Sequence, residues 1–218
     1  MLIENVFFDF DGVLAESVSA KTEAFKEMYL PYGEDIALQV VNYHIENGGI
    51  SRYEKFRHWE KTFFNKELDE GEVKIMAQRF SDLVLQKVID AKPVKDSLWF
   101  LQKYYDKLRF WVITGTPTNE IITIVEKRKL DIYFQGLHGS PESKKYWTEF
   151  LIDKFKLRRE TTLFLGDATT DIEAARFSKL LFALRDNEEN KSLFEDYQGF
   201  RFTNFKELEQ LLINNKLL

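Results

Sequence analysis

Residues 6–14 read Val-Phe-Phe-Asp-Phe-Asp-Gly-Val-Leu, and this stretch constrains the fold more than any other. Val6, Phe7 and Phe8 are apolar without alternation, the pattern of a strand covered on both faces in a parallel sheet. Asp9 and Asp11 break that pattern where Gly12 ends the strand. Two carboxylates beside an apolar core repel each other and resist losing water. A bound cation relieves both problems, and Mg²⁺ takes oxygen ligands, completing its shell with water and substrate phosphate. On these residues alone, a solvated acidic turn is the plainer alternative. An EF-hand loop also opens Asp-x-Asp, but it needs Gly at its sixth position and Glu at its twelfth. Counted from Asp9, those positions hold Leu14 and Ala20.

The chain beyond has two textures. From Glu16 to Ala91 there is no strand signal. Helical spacing predicts helices over 16–30, 35–45 and 68–91, broken at Pro31-Tyr32-Gly33 and Asn47-Gly48-Gly49. A further helix starts at Ser51, with Glu54 three residues on completing a capping box. Its Tyr53, Phe56, Trp59 and Phe63 read as packing. From Pro93 onward, helices and short apolar strands alternate. Strands are predicted over 108–113, 133–137, 161–165, 180–184 and 200–203. Helices are predicted over 94–105, 118–130, 143–155, 172–177 and 205–212. This alternation implies an α/β fold with a doubly wound parallel sheet. An all-helical segment is inserted after the first strand. The expected division is a core of residues 1–14 and 92–218 and a helical cap domain of residues 15–91.

In such sheets, ligands sit beyond the carboxyl ends of the strands. Chemistry-bearing residues fall at three of those ends: Asp9 and Asp11, then Thr114, then Asp167 and Asp171. Together they favour a metal site that handles a phosphate monoester, a task of positioning and charge neutralisation. Asp9, deeper in the strand, is the candidate nucleophile. Asp11 would protonate the leaving oxygen and later activate water. Asp167 would hold Mg²⁺ with Asp9, supported by Asp171 one helical turn on. The Thr114 hydroxyl and the Gly115 amide, at a helix entry, would donate to phosphoryl oxygens. A lysine must offset the charge. Lys144 follows Gly139-Ser140-Pro141 at a helix start, with adjacent Lys145 as the alternative.

Composition removes other classes. A net charge of −5 argues against a general nucleic-acid or anionic-membrane surface, and the basic run Lys154–Arg159 reads as a solvated helix end. There is no Cys, hence no disulfide or thiolate chemistry. No apolar run spans a bilayer, and no basic segment with an apolar signal core leads the chain; a soluble cytoplasmic protein is expected. A P-loop pattern is absent. His44, His58 and His138 have no metal-ligand spacing, although His44 lies near the Gly48-Gly49 loop.

Asp9-Phe10-Asp11-Gly12-Val13-Leu14, Val112-Ile113-Thr114-Gly115, Lys144 and Gly166-Asp167-(x)3-Asp171 resemble the four ordered motifs of the haloacid dehalogenase superfamily. The helical insertion resembles the type 1 cap of its phosphoglycolate phosphatase and beta-phosphoglucomutase branch. The resemblance implies a Rossmann-like core and a cap that closes over the site. It also implies Mg²⁺-dependent phosphatase activity on a small phosphorylated metabolite, with the Asp11 backbone carbonyl as a further metal ligand. The dehalogenases of the superfamily lack the second acid, so Asp11 implies phosphate chemistry. Two departures stand out: the family's lysine is usually followed by Pro, here Lys145, and Ala174-Ala175-Arg176-Phe177-Ser178-Lys179 replaces the usual Ala-Ala-x-x-Ala-Gly. Gly48-Gly49-Ile50-Ser51-Arg52 is similar to the mutases' substrate loop, which implies that Ser51 and Arg52 bind a second anionic group. A first-turn Arg facing solvent is the alternative. A phosphomutase and a non-catalytic ligand-binding module on this scaffold are the competing functions. The chain is expected to act as a monomer or homodimer.

Overall fold

The computed structural model describes residues 2–218. β1 (Asn5–Phe8) is followed by α1 (Val18–Tyr29), α2 (Glu34–Glu46), α3 (Arg52–Phe64) and α4 (Glu70–Asp90). Then come α5 (Ser97–Tyr104), β2 (Arg109–Pro117), α6 (Thr118–Lys127), β3 (Gly136–Ser140), α7 (Lys144–Phe155), β4 (Thr162–Gly166), α8 (Thr169–Phe177), β5 (Leu181–Arg185), β6 (Phe200–Phe202) and α9 (Phe205–Asn214). Among the described residues the strands form one sheet in the order β3-β2-β1-β4-β5-β6, and every neighbouring pair is parallel. No helix among them is long and apolar enough to cross a membrane.

β1 takes the centre because both of its faces are apolar. Phe8 packs edge-on against Phe110 at 5.1 Å and stacks on Phe205 at 6.4 Å. On the opposite face, Phe7 meets Trp111 at 5.7 Å and Phe164 at 6.1 Å. The strand order reverses between β1 and β4, which makes their carboxyl ends the switch point where such sheets bind ligands.

The inserted helices α1 to α4 pack around Phe25 of α1, which stacks on Phe80 at 4.0 Å and lies 5.0 Å from Trp59. Tyr53, Phe56, Trp59 and Phe63 do serve as packing here, and Phe56 and Trp59 are fully buried. Asp69 and Glu72 cap α4 reciprocally; Ser51 caps α3 by accepting from the Glu54 amide. Buried side chains run without a break from the sheet into the insertion. The far end of α4 is fastened by Arg128, whose Nη1 donates to the carbonyls of Val88, Ile89 and Ala91 at 3.0, 2.7 and 2.7 Å. A cation is favourable there because the last carbonyls of a helix lack partners of their own.

The structure shifts two elements from their expected places. The strand expected over 133–137 lies at Gly136–Ser140, and Tyr133 belongs to a short 3-10 turn. Aromatic β-propensity suggested the earlier segment, but pairing with β2 draws in the Gly-rich one. β2 also runs four residues past Ile113, and Pro117 pairs with Ser140 after a register shift.

Phe8 is fully buried at the centre of this packing. Phe8→Ala is expected to lower the unfolding free energy by about 3–5 kcal/mol, read as a lower urea midpoint with unchanged slope.

Candidate active site

Register brings the acids together. Phe8 lies level with Val112 and Leu165, and the Asp9 amide donates to the Leu165 carbonyl at 2.9 Å. Asp9 therefore stands beside Ile113 and Gly166, with Thr114 and Asp167 one residue further out. Asp171 enters from the first turn of α8, where its Oδ2 accepts from the Ala168 amide at 3.1 Å. Asp9, Asp167 and Asp171 are buried, and each offers an oxygen within 4.8 Å of the others. Gly12 permits this closeness: its φ is +75°, and a Cβ there would sit 1.9 Å from Asp167 Oδ2.

One ammonium answers these three carboxylates. Lys144 opens α7 and reaches Asp9 Oδ2 at 2.8 Å and Asp171 Oδ1 at 2.6 Å. Lys145 instead pairs with Glu173 at the surface. Burial opposes the charge of Lys144, but Asp171 and Asp9 outweigh it and raise its pKa. Burial, then Asp9 and Asp171, push the Asp167 carboxyl well above the carboxylate range. Burial and Asp9 push Asp171 up to about 7, against the lowering pull of Lys144. Three buried acids with one base leave an excess of negative charge, and the protonation it induces marks a donor set suited to a divalent cation.

Asp11 sits in a different environment. Its Oδ1 accepts from Ser17 Oγ at 2.6 Å, and its Oδ2 accepts from Lys21 Nζ at 2.5 Å and Thr116 Oγ1 at 3.1 Å. Burial acts to raise this carboxyl. Lys21, by charge and hydrogen bond, together with Ser17 and Thr116, overcomes it and holds Asp11 below its ordinary value. The two neighbouring acids are thus separated: Asp9 faces Lys144 and the other acids, and Asp11 faces the inserted α1.

The remaining expected residues line the same cleft, with one correction. Thr114 is buried on β2, its Oγ1 accepting from the Thr116 amide at 3.3 Å. Gly115 lies inside β2 and not at the helix entry expected for it, because β2 extends to Pro117. It instead meets the insertion: a Cβ on Gly115 would fall 2.6 Å from the Gly49 carbonyl. Gly49, with φ +78°, presses onto Thr170 and Lys144; a Cβ there would meet Thr170 Oγ1 at 1.9 Å. Thr170 Oγ1 also donates to the Gly48 carbonyl at 3.1 Å. The Gly48-Gly49 segment is therefore where the insertion rests on the site. Ser51 and Arg52 follow it. Arg52 is buried and lines the cavity, but Nη1 and Nη2 grip Glu120 of α6 at 3.1 and 2.5 Å, and Nη1 also donates to Ser81 at 2.7 Å.

Three contributors escaped the sequence. Lys21 lies four residues after Ser17, one helical turn, and that spacing was the available signal. Asn187 and Asn190 follow β5: Asn187 Nδ2 donates to Asp167 Oδ2 at 2.9 Å, and Asn190 Nδ2 to the Asp167 carbonyl at 2.8 Å. The polar cluster 186–190 at a fourth strand end could have flagged them.

A family described as haloacid dehalogenase-like hydrolase matches residues 6–184. The chain belongs to the haloacid dehalogenase-like hydrolases, and is an enzyme of that class. Phosphoglycolate phosphatase of Photorhabdus laumondii is 28% identical over 184 residues, covering 80% of this chain and 76% of the relative. That of Pasteurella multocida is 28% identical over 183 residues, covering 77% and 79%. Among solved structures, beta-phosphoglucomutase from Clostridium difficile superposes with a TM-score of 0.78 at 16% identity, covering 99% of this chain and 97% of that one. A predicted phosphatase from Clostridium acetobutylicum gives 0.75 at 19% identity, covering 98% and 100%. These structural likenesses concern the fold.

Removing one member of a buried ion pair strands the other. Arg52→Ala is expected to destabilise the protein by about 3–5 kcal/mol in a urea titration, and Arg52→Ala combined with Glu120→Ala to recover part of that loss.

Proposed function

We propose that the protein is a Mg²⁺-dependent phosphatase that hydrolyses a small phosphorylated metabolite through an aspartyl-phosphate on Asp9. Residues 15–91 serve as its cap. The observation that carries this reading is the separation of the two neighbouring acids, one among carboxylates and Lys144, the other among hydroxyls and Lys21. Mg²⁺ would be held by Asp9, Asp167 and Asp171 and by the Asp11 carbonyl, and when bound it supplies positive charge against the phosphoryl oxygens.

In the first half-reaction an Asp9 oxygen forms a bond to phosphorus as the ester P–O bond breaks, and the leaving oxygen takes a proton from Asp11. In the second, Asp11 takes a proton from water, the water oxygen bonds to phosphorus and the Asp9–phosphorus bond breaks, releasing inorganic phosphate. Lys144 and the Thr114 hydroxyl steady the phosphoryl oxygens. Lys21 holds Asp11 in the form that activates water. Before the first step Asp11 must acquire its proton, and an incoming anion that competes for Lys21 lets burial raise the carboxyl. Gly48-Gly49, resting on Thr170 and Gly115, forms part of the cavity wall. The cavity of about 90 Å³ admits several waters or a small ester. The names of the relatives put phosphoglycolate first among substrates to test. A mutase would call on Ser51 and Arg52, and here Arg52 is already committed to Glu120.

With Mg²⁺, purified protein should release phosphate from a panel of small phosphate esters, and Asp9→Asn should lower the rate by about a thousandfold or more. Full activity in that variant would remove Asp9 as nucleophile. A panel without phosphate release would favour the non-catalytic alternative.

Binding of the ion should also stabilise the fold. At a hundredfold excess over Kd the gain is about 2.7 kcal/mol, or roughly 5–10 °C in Tm for this length. Asp171 is raised in the fold from 3.8 to about 7. Its contribution to stability without the ion is therefore complete below about pH 4 and is lost as pH rises through about 7. The ion displaces that proton, so the Tm increment from Mg²⁺ should be larger at pH 8 than at pH 6, as read by calorimetry.

A further inference from the structure

The cap side of the cavity carries three basic side chains, Lys21, Arg52 and Lys55. Two of them are matched to acids: Lys21 to Asp11, and Arg52 to Glu120. Lys144 on the core side is matched twice, to Asp9 and Asp171. Lys55 has no carboxylate partner among the described residues. It is 1% exposed, one turn after Arg52 on the cavity side of α3. Its Nζ lies 2.6 Å from His44 Nδ1 and 3.5 Å from the His44 carbonyl, and 5.8 Å from the centre of the Phe25 ring.

His44, in the last turn of α2, is 8% exposed and also lines the cavity. When Lys55 carries its third proton it has only donors, so it donates to Nδ1 and the ring proton sits on Nε2. That Nε2 is buried and has no hydrogen-bond partner. Burial, then Lys21 and Lys144, hold Lys55 far below an ordinary lysine, and burial, then Lys55 and Lys21, lower His44; an anion in the cavity offsets that cost and favours the charged lysine. A lysine buried only for packing would be outperformed by Met or Leu, which bury the same stem without an amine to desolvate. The pair therefore has what a binding site for an anion needs: donors in excess of acceptors, low dielectric around them and an opening to the reacting groups.

We propose that Lys55 and His44 form a second anion subsite in the cap. It takes a carboxylate or second phosphate on the leaving group, so that the preferred substrates are short phosphate esters with a further anionic end. The inference rests on the phosphatase reading for its substrate, but not for its binding step. The phosphoryl group lies toward Asp9 and Lys144, and the second anion lies under α2 and α3. Lys55, His44 and Asp9 all line this one cavity, so a single short ester can meet both ends.

The test is binding of non-hydrolysable phosphonates by calorimetry in the presence of Mg²⁺. 3-Phosphonopropionate carries a carboxylate end, ethane-1,2-bisphosphonate a second phosphoryl end, and propylphosphonate a neutral end. Wild-type protein should bind one or both doubly ionic probes at least about tenfold more tightly than propylphosphonate, and Lys55→Met should erase that ratio. Whichever probe shows the larger ratio identifies the second anion as carboxylate or phosphate. Lys55→Gln replaces Lys55→Met if circular dichroism shows altered folding, and Lys55→Arg should restore part of the ratio. A ratio unchanged in Lys55→Met and Lys55→Gln, or no preference in the wild type, overturns the subsite. A Lys55-dependent ratio in a protein that hydrolyses no phosphate ester upholds the subsite and removes the phosphatase reading instead.

Discussion

The crowding of three buried carboxylates around one buried ammonium is the interaction on which the rest of the structure depends. Parallel strands deliver Asp9 and, one residue further out, Asp167 to adjacent strand ends, and α8 adds Asp171 from the side. Two unit charges about 4 Å apart interact by about 4 kcal/mol at an effective dielectric near 20. Lys144 meets two of the acids directly and still leaves negative charge over. The surroundings then fix each acid in place. Asn187 and Asn190 orient Asp167, the Ala168 amide orients Asp171, and the missing Cβ of Gly12 lets Asp167 approach β1. Any weaker scaffold would let the carboxylates turn outward to water and lose the site.

The insertion is joined to the sheet by the same kind of force. Lys21 of α1 meets Asp11, and Arg52 of α3 meets Glu120 of α6, both across the boundary between insertion and sheet. Buried ion pairs add little net stability against apolar packing of the same volume. Their value lies in geometry, because a displaced insertion would strand a buried charge on each side. Gly48 and Gly49 fit the same requirement, since only a bare backbone passes so close to Thr170 and Gly115. Lys55 stands outside this scheme of matched pairs, and that is what makes it informative.

Much of this was legible in the chain, because each acid of the site interrupts an apolar strand or opens a helix. Asp9, Asp11, Asp167 and Asp171 each break a local pattern, and local patterns are what a sequence displays. The inserted helices were legible for the same reason, since 3.6-residue spacing and the Ser51 cap are local signals. What was hidden is pairing at long range. Glu120 is 68 residues from Arg52, and on α6 it looks like an ordinary first-turn acid. Arg52 accordingly read as a free anion binder. β3 was misplaced because Gly136–Ser140 has poor strand propensity and becomes a strand only against β2. Lys55 sits among Phe56 and Trp59 on a helix with clear packing spacing, and nothing local says that part of its face borders a cavity.

The first helix of the insertion helps to set the charge of Asp11. Ser17 precedes α1 and Lys21 lies one turn later, so two of the three side chains that set the Asp11 pKa belong to one rigid element. Thr116, the third, belongs to β2 and also accepts from Lys21. If α1 tilts relative to β1, Asp11 loses Lys21 and Ser17 together while keeping Thr116. Loss of the ammonium alone raises the carboxyl. The position of α1 and the proton affinity of Asp11 are therefore tied together, chiefly through the lysine one helical turn beyond Ser17.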